Sequence, residues 1–197
     1  MFEIKVGNVD EVIDDDGPVF DSNMSFDEAI KGSSAPKDVI DQMVLVDVRY
    51  YGVDSRVHHG QIMANKKIEN DIKVIFYKFL EYKFVVEKCV PMSFYSWDEE
   101  KAMQDNNTYS FCYGKNKDDK NNLGLALDIN PRFNPLIKED GLLQPKNGDY
   151  NVERSGTFAV NSNVVKFIEA LGFVWGRGDK DVDDMHHFEK DKQFCKK

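Results

Sequence analysis

The stretch that decides the fold prediction is Gly124-Leu125-Ala126-Leu127-Asp128-Ile129-Asn130-Pro131. Its large apolar residues, Leu125, Leu127 and Ile129, occupy every second position, which predicts a β-strand with one face toward the core. The other face carries glycine, alanine and Asp128. Two small neighbours leave space for a ligand to approach the carboxylate, which favours a cleft over the alternative of a solvated surface aspartate.

The sequence before this strand predicts two strands and a helix. Alternating apolar residues over 44–49 indicate a strand, and the run 85–90 indicates a second, short strand. Between them, Ile68, Ile72, Ile75 and Phe79 recur at helical spacing, with Asn65 placed to cap the first turn. Residues 105–108 are rich in turn formers and predict a loop.

The sequence after this strand predicts a second helix through Val164, Ile168 and Leu171, with Ser162 as its cap and Gly172 as its stop. Helices and strands alternate without a regular βαβ rhythm, so we predict an α+β fold, a small antiparallel sheet with packed helices. Residues 1–40 are acidic and interrupted by turn formers. We therefore expect an N-terminal extension over 1–40 and a folded domain over 41–197.

Composition limits the possible functions of the 197-residue chain. A net charge of −9 argues against a protein that binds nucleic acid by neutralising phosphates. No apolar stretch approaches the length that spans a bilayer, so we expect no membrane insertion, and no signal peptide is visible at the start. The three cysteines form no CxxC pair and are expected to be free thiols. We expect a monomer.

The densest group of titratable residues lies near the end of the chain, where Asp184 precedes His187 by three positions. A zinc hydrolase needs a neutral imidazole to hold the metal and a nearby carboxylate to take a proton from the bound water. Surface acids beside a histidine are the alternative explanation of this pattern.

Together, these segments resemble the zinc D-alanyl-D-alanine carboxypeptidase family, which includes D-Ala-D-Ala dipeptidases and the L-alanyl-D-glutamate peptidases of phage endolysins. That family carries Ser-x-His-x-x-Gly-x-Ala-x-Asp, then a tryptophan and an acid-x-x-His. The matching residues here are Gly124, Ala126, Asp128, Trp175, Asp184, His187, Phe188 and Glu189. With upstream segments such as 59–61 and 105–111, the resemblance covers about residues 36–190.

The resemblance implies a hedgehog-like metallopeptidase fold with a zinc cleft on the sheet. It implies zinc on Asp128 and His187, with Asp184 as the general base. It further implies that Ser110 and Lys115 contact the substrate, and that the reaction hydrolyses an amide bond in a peptidoglycan stem peptide. A phage-type lysin acting on the cell wall, or a trimmed secreted bacterial protein, would fit this activity.

The sequence departs from the family pattern at two points of the expected site. Asn121 occupies the position of the first histidine ligand, and Asp119 replaces the family serine. Zinc prefers imidazole or thiolate to a neutral amide oxygen, so zinc affinity should fall unless His186, Asp118 or Asp119 substitutes. After the Phe-x-Tyr segment, Gly114 stands where the family has an arginine that suits a carboxylate.

The spacing of the expected ligands also demands a particular backbone. Positions 121 and 128 are an odd number of residues apart, and an unbroken strand would point them to opposite faces. The family must therefore bend near the position of Gly124 to bring both ligands to one site, and the same bend is possible in this chain.

Three hypotheses follow from the sequence. The first is a zinc peptidase of the D-alanyl-D-alanine carboxypeptidase type, with activity impaired by Asn121. The second is a catalytically inactive protein of the same fold that binds a cell-wall peptide or a partner. The third, based only on the acidic residues of 1–40, is a structural or partner-binding module.

Overall fold

The computed structural model describes residues 17–114, 119–178, 182–191 and 193. Its five helices and nine strands in these ranges follow one another in the order β1 (Val19–Phe20), α1 (Phe26–Ile30), α2 (Lys37–Ile40), β2 (Met43–Tyr51), β3 (Val57–Asn65), α3 (Glu69–Glu81), α4 (Glu99–Gln104), β4 (Ala126–Asp128), β5 (Leu136–Lys138), β6 (Leu143–Gln144), α5 (Asn163–Ala170), β7 (Phe173–Trp175), β8 (Val182–Asp184) and β9 (His187–Lys190). Short 3₁₀ helices occupy Lys66–Ile68, Met92–Tyr95 and Lys120–Leu123. The α+β class is confirmed.

The described strands form three small sheets rather than the single sheet that we predicted. Their strand orders are β1-β3-β2, β4-β9-β7 and β6-β5-β8. All pairings are antiparallel except that of β1 with β3. No helix in the described ranges is long and apolar enough to cross a membrane.

The main hydrophobic core joins the first two sheets through α3. The buried face of this helix carries Ile72, Ile75, Phe76 and Phe79, and they belong to the same cluster as Leu127 of β4 and Phe188 of β9. Both of these residues are fully buried, and they lie opposite each other in the β4–β9 pair. The predicted apolar face of the strand around Asp128 is therefore confirmed as core.

The helix boundaries follow from capping residues that the sequence displays. Asn65 accepts a hydrogen bond from the backbone N–H of Lys67 at 3.1 Å and begins the turn that leads into α3. The side chain of Ser162 caps α5 by accepting from the N–H of Val165, and Gly172, at φ +85°, follows its end. These three predictions are confirmed.

The strand predicted over 85–90 is wrong. This segment makes only isolated bridges, between Val85 and Tyr51 and between Lys88 and Asn107. Polar side chains take the place of a partner strand, because Asn130 Oδ1 accepts from the N–H of Glu87 and Asn107 Oδ1 accepts from that of Val90. A neighbouring side chain thus satisfies backbone groups that a ladder would otherwise pair.

The described part of the acidic N-terminal segment packs against the body. β1 pairs with β3, and a small cluster buries Ala29 of α1 and Val39 of α2 against Met43 and Met63. The division of the chain at residue 40 stays a prediction, and residues 1–16 lie outside the described residues.

The bend that the family resemblance suggests near Gly124 is present. Asn121 lies in the 3₁₀ helix Lys120–Leu123, and Gly124 adopts a left-handed conformation at φ +60° before β4 begins. A Cβ at this glycine would meet the backbone nitrogen of Asn65 at 2.8 Å and Met43 Sδ at 2.9 Å. The turn therefore needs glycine both for its φ angle and for its close approach to β3.

We predict that Gly124→Ala lowers the free energy of unfolding by about 2–4 kcal/mol, because about 1 kcal/mol of left-handed strain adds to about 1–3 kcal/mol of overpacking. Gly141→Ala is the matched control, since Gly141 has φ +79° but nothing within 4 Å of its Cβ position. It should cost only the strain, about 1 kcal/mol. Urea unfolding of both variants measures the difference, and equal costs would contradict the close approach.

Candidate functional site

The centre of the site is a cross-strand pair. In the antiparallel β4–β9 register Asp128 lies opposite His187, just as Leu127 lies opposite Phe188. Because side chains alternate across a strand, burying Leu127 and Phe188 in the core turns Asp128 and His187 toward the other face. His187 Nδ1 lies 2.7 Å from Asp128 Oδ1.

Asn121 completes this arrangement from the neighbouring turn. Its amide Nδ2 donates a hydrogen bond of 2.8 Å to Asp128 Oδ2. Both carboxylate oxygens of Asp128 are thus engaged, one by the imidazole and one by the amide. The orientation of the amide follows from its surroundings, because an amide oxygen turned toward a carboxylate would be repelled.

Electrostatics bind Asp128 and His187 together. Burial disfavours the charged carboxylate, yet the charge of His187 and its hydrogen bond hold the pKa of Asp128 below its ordinary value. Burial likewise disfavours the charged imidazole, but Asp128 raises the pKa of His187 well above its ordinary value. The pair is therefore an ion pair near neutral pH.

The pair borders a cleft of about 660 Å³ that brings the predicted residues together. Asn121, Asp128, Asp184 and His187 all line it. Asp184 ends β8 and makes no hydrogen bond to His187. Its Oδ1 lies 3.2 Å from His186 Nε2. Despite this proximity, the Oδ1 atom is buried and accepts no hydrogen bond from the described residues.

His186 also lines the cleft, where one ring nitrogen lies beside Asp184 and the other contacts a backbone carbonyl. Its Nδ1 lies 2.9 Å from the backbone oxygen of Asn134. A carbonyl can only accept, so this nitrogen must carry the proton. This contact fixes the ring beside Asp184 and does not bring it to Asp128, so no contact supports His186 as a substitute for the missing ligand.

Of the two residues predicted to bind substrate, Ser110 is described and does not line the cleft. Ser110 is fully buried and its Oγ donates to the carbonyl of Gly124 at 3.2 Å, which supports the bend. Lys115 lies outside the described residues, as does Asp118. Their proposed roles stay predictions.

The cleft also contains Glu99 and Arg177, which the sequence did not single out, and Asp119, which it offered as a substitute ligand. Glu99 of α4 accepts a 2.9 Å hydrogen bond from the hydroxyl of Tyr109, and burial together with the charge of Asp128 raises the pKa of Glu99. Burial raises the pKa of Asp119 as well. Arg177 lines the cleft from the segment after β7. An acid at the start of a helix and an arginine between two glycines give no local signal of a cleft.

A metal ion does not fit the donor set that these contacts create. A catalytic zinc takes three protein ligands, whereas Asn121 presents its NH₂ group to Asp128 rather than an oxygen to the cleft. Across 17–114, 119–178, 182–191 and 193, no group of three or more His, Cys, Asp or Glu side chains could hold a metal ion.

Comparison with known proteins gives one relationship. A family model described as D-alanyl-D-alanine carboxypeptidase matches residues 119–190. This range contains Asn121, Asp128, Asp184 and His187, and the match supports a peptidase of that broad family. No curated protein and no solved structure matches the chain.

We predict that His187 titrates above its ordinary pKa of about 6.5 and that Asp128→Asn lowers this pKa toward about 6.5. Asp128 has a lowered folded pKa, so its contribution to stability is lost as the pH falls through that value. His187 has a raised folded pKa, so its contribution is lost as the pH rises through that value. The pair should therefore stabilise the fold fully between about pH 4 and 6.5.

NMR titration of the histidine rings and urea unfolding at several pH values test this prediction. Asp47→Asn is the matched control, because Asp47 also faces a histidine, His59 at 3.6 Å, but its side chain is 67% exposed. The control should change stability little at any pH. A His187 that titrates at or below its ordinary value would contradict the ion pair.

Proposed function

We propose that this protein is a catalytically inactive relative of the peptidoglycan-directed peptidases, and that its cleft binds a peptidoglycan-type peptide without zinc-dependent hydrolysis. The observation that carries the proposal is the 2.8 Å hydrogen bond from Asn121 Nδ2 to Asp128 Oδ2. It puts an amide donor against the carboxylate where the resemblance implies a metal.

The family relationship supports the choice of ligand. The match covers the segments that build the cleft from the 3₁₀ turn at Asn121 to the strand at His187. The cleft is polar and open, with room for a short peptide rather than for an amino acid alone. A hedgehog-like metallopeptidase fold and action at the cell wall, by a phage-type lysin or a secreted protein, are parts of the same proposal.

The chemistry of Asp128 supports binding without hydrolysis. A buried carboxylate is costly unless it is paired and hydrogen-bonded. Here the imidazole of His187 and the amide of Asn121 satisfy it. The site is thus stable without a cation. In this proposal the other residues that line the cleft give it the shape and the charge that bind a peptide.

A second candidate function is zinc-dependent hydrolysis of an amide bond in a peptidoglycan stem peptide. It is favoured by the contact between Asp128 and His187 and by the position of Asp184 in the same cleft. This candidate assigns Asp128 and His187 to zinc and Asp184 to the general base. It requires a third ligand beyond those that the described residues supply.

We expect calorimetry to detect saturable binding of a synthetic stem peptide ending in D-Ala-D-Ala. Mass spectrometry of the same mixture, with zinc added, should find the peptide intact. The matched ligand ending in L-Ala-L-Ala should bind more weakly, because a chiral cleft distinguishes the two. The absence of binding to either peptide would contradict the proposal, and zinc-dependent cleavage that is lost in Asp184→Ala would establish the second candidate.

We predict further that Asn121→His raises zinc affinity by about 100-fold or more, because changes to an outer-shell partner alone shift affinity by about 10–100-fold. Asn70→His, on the exposed surface of α3, adds a histidine away from the cleft and should leave zinc affinity unchanged. Calorimetric titration of zinc into the metal-free proteins measures both. Tight zinc binding by the unaltered chain would contradict the proposal and reveal a substitute ligand.

A further inference from the structure

The charges along the cleft are distributed unevenly. Five carboxylate residues line it, and the cationic side chains there are Lys120, Arg177 and His187, whose charge is paired with Asp128. The two cations outside this pair are Lys120 and Arg177. The acidic lining residues are Glu99, Asp119, Asp128, Asp184 and Glu189. Within the part of the chain that the structure describes, neither cation forms a hydrogen bond or an ion pair. Two cations thus remain available to a ligand in an acidic cleft.

Arg177 occupies a position that Lys120 does not share. It also lines a second, smaller hollow of about 360 Å³. The residues common to the two hollows are Val174, Trp175 and Arg177. Arg177 therefore stands at the junction, where a peptide longer than the first cleft would pass from one hollow into the other.

The two glycines that flank Arg177 differ in their surroundings. A Cβ at Gly176 would meet the Cβ and the backbone oxygen of Asp184 at 3.0 Å, whereas no atom of the described residues lies within 4 Å of the Cβ position of Gly178. The N–H of Gly178 donates a 2.7 Å hydrogen bond to Asp183 Oδ1. This bond ties the turn to a carboxylate through the backbone, so that Asp183 holds the turn while the guanidinium of Arg177 stays exposed.

We propose that Arg177 determines ligand specificity by binding a carboxylate of the peptide in the cleft. This inference rests on the proposed function. A guanidinium offers a planar fork of donors that matches a carboxylate through two parallel hydrogen bonds. The acidic side chains elsewhere in the cleft repel a carboxylate, so they orient the ligand with its negative group toward Arg177.

The carboxylate has two possible sources in a stem peptide, the C-terminus and the D-glutamate residue. The test therefore uses a synthetic peptide of L-Ala, D-Glu, L-Lys, D-Ala and D-Ala in three forms. One form has both carboxylates free, one has an amidated C-terminus, and one has D-glutamine in place of D-glutamate. Calorimetry compares the affinities of the three peptides for the unaltered protein, Arg177→Gln, Arg177→Lys and Lys120→Gln.

We expect the unaltered protein to bind the free form about tenfold more tightly than one of the amidated forms, as one charge-assisted hydrogen-bonded pair provides. The amidated form that binds more weakly identifies which carboxylate Arg177 binds. Arg177→Gln should abolish the preference for the free form and leave the affinity for the amidated form unchanged. Arg177→Lys should retain only part of the preference, because lysine lacks the planar fork of donors. Lys120→Gln should keep the preference.

The outcomes separate this inference from the proposed function. If all three peptides bind the unaltered protein equally, the proposed function stands and the role of Arg177 is refuted. A preference that survives in Arg177→Gln, or that disappears in Lys120→Gln instead, also refutes it. If none of the peptides binds, the proposed function itself fails. Circular dichroism of each variant verifies that a lost preference does not come from unfolding.

Discussion

The pairing of Asp128 with His187 across β4 and β9 is the interaction on which the rest of the site depends. The core sets it, because Leu127 and Phe188 lie opposite each other in the same register and are fully buried. A slip of β9 by one residue would move Phe188 out of the core and His187 to the opposite face from Asp128. Burial of Leu127 and Phe188 on one face of the strands thus fixes the geometry of the polar site on the other face.

Asn121 changes what this pair can do. In an arrangement with three strong ligands, a cation would balance the buried charge of Asp128. Here the balance comes from His187 on one oxygen and the Asn121 amide on the other. A buried carboxylate whose partners are complete is stable without metal. This balance is the observation on which we base the proposal of a binding function rather than a hydrolytic one.

Buried amide side chains support the site from behind. Asn134 donates to the carbonyl of Gly156 and accepts from the N–H of Phe158, and its own backbone oxygen contacts His186. Asn130 joins the segment at Val85 to the same region by donating to its carbonyl. These contacts hold irregular segments in one arrangement, since a buried network whose polar groups are satisfied specifies a unique structure.

The sequence by itself determined the local elements and the identity of the central residues. Alternation around Leu127, helical spacing in α3 and the caps at Asn65 and Ser162 are patterns over a few residues, and such patterns act locally. The acid-x-x-His spacing and the asparagine at position 121 could also be recognised in the sequence, because each depends only on which residue stands at a given position. The odd spacing of positions 121 and 128, read with the family resemblance, also pointed to a possible bend at Gly124.

Only the tertiary structure decided which distant residues meet. Asp128 and His187 are separated by 59 positions, and their contact depends on the β4–β9 register. Glu99 and Arg177 enter the cleft from elements whose local sequence resembles an ordinary helix start and an ordinary turn. The segment 85–90 has the composition of a strand, yet Asn130 and Asn107 accept hydrogen bonds from the N–H groups of Glu87 and Val90, and the segment joins no continuous ladder. Hydrogen bonds from side chains distant in sequence thus outweighed the local strand preference of this segment, as tertiary packing often does.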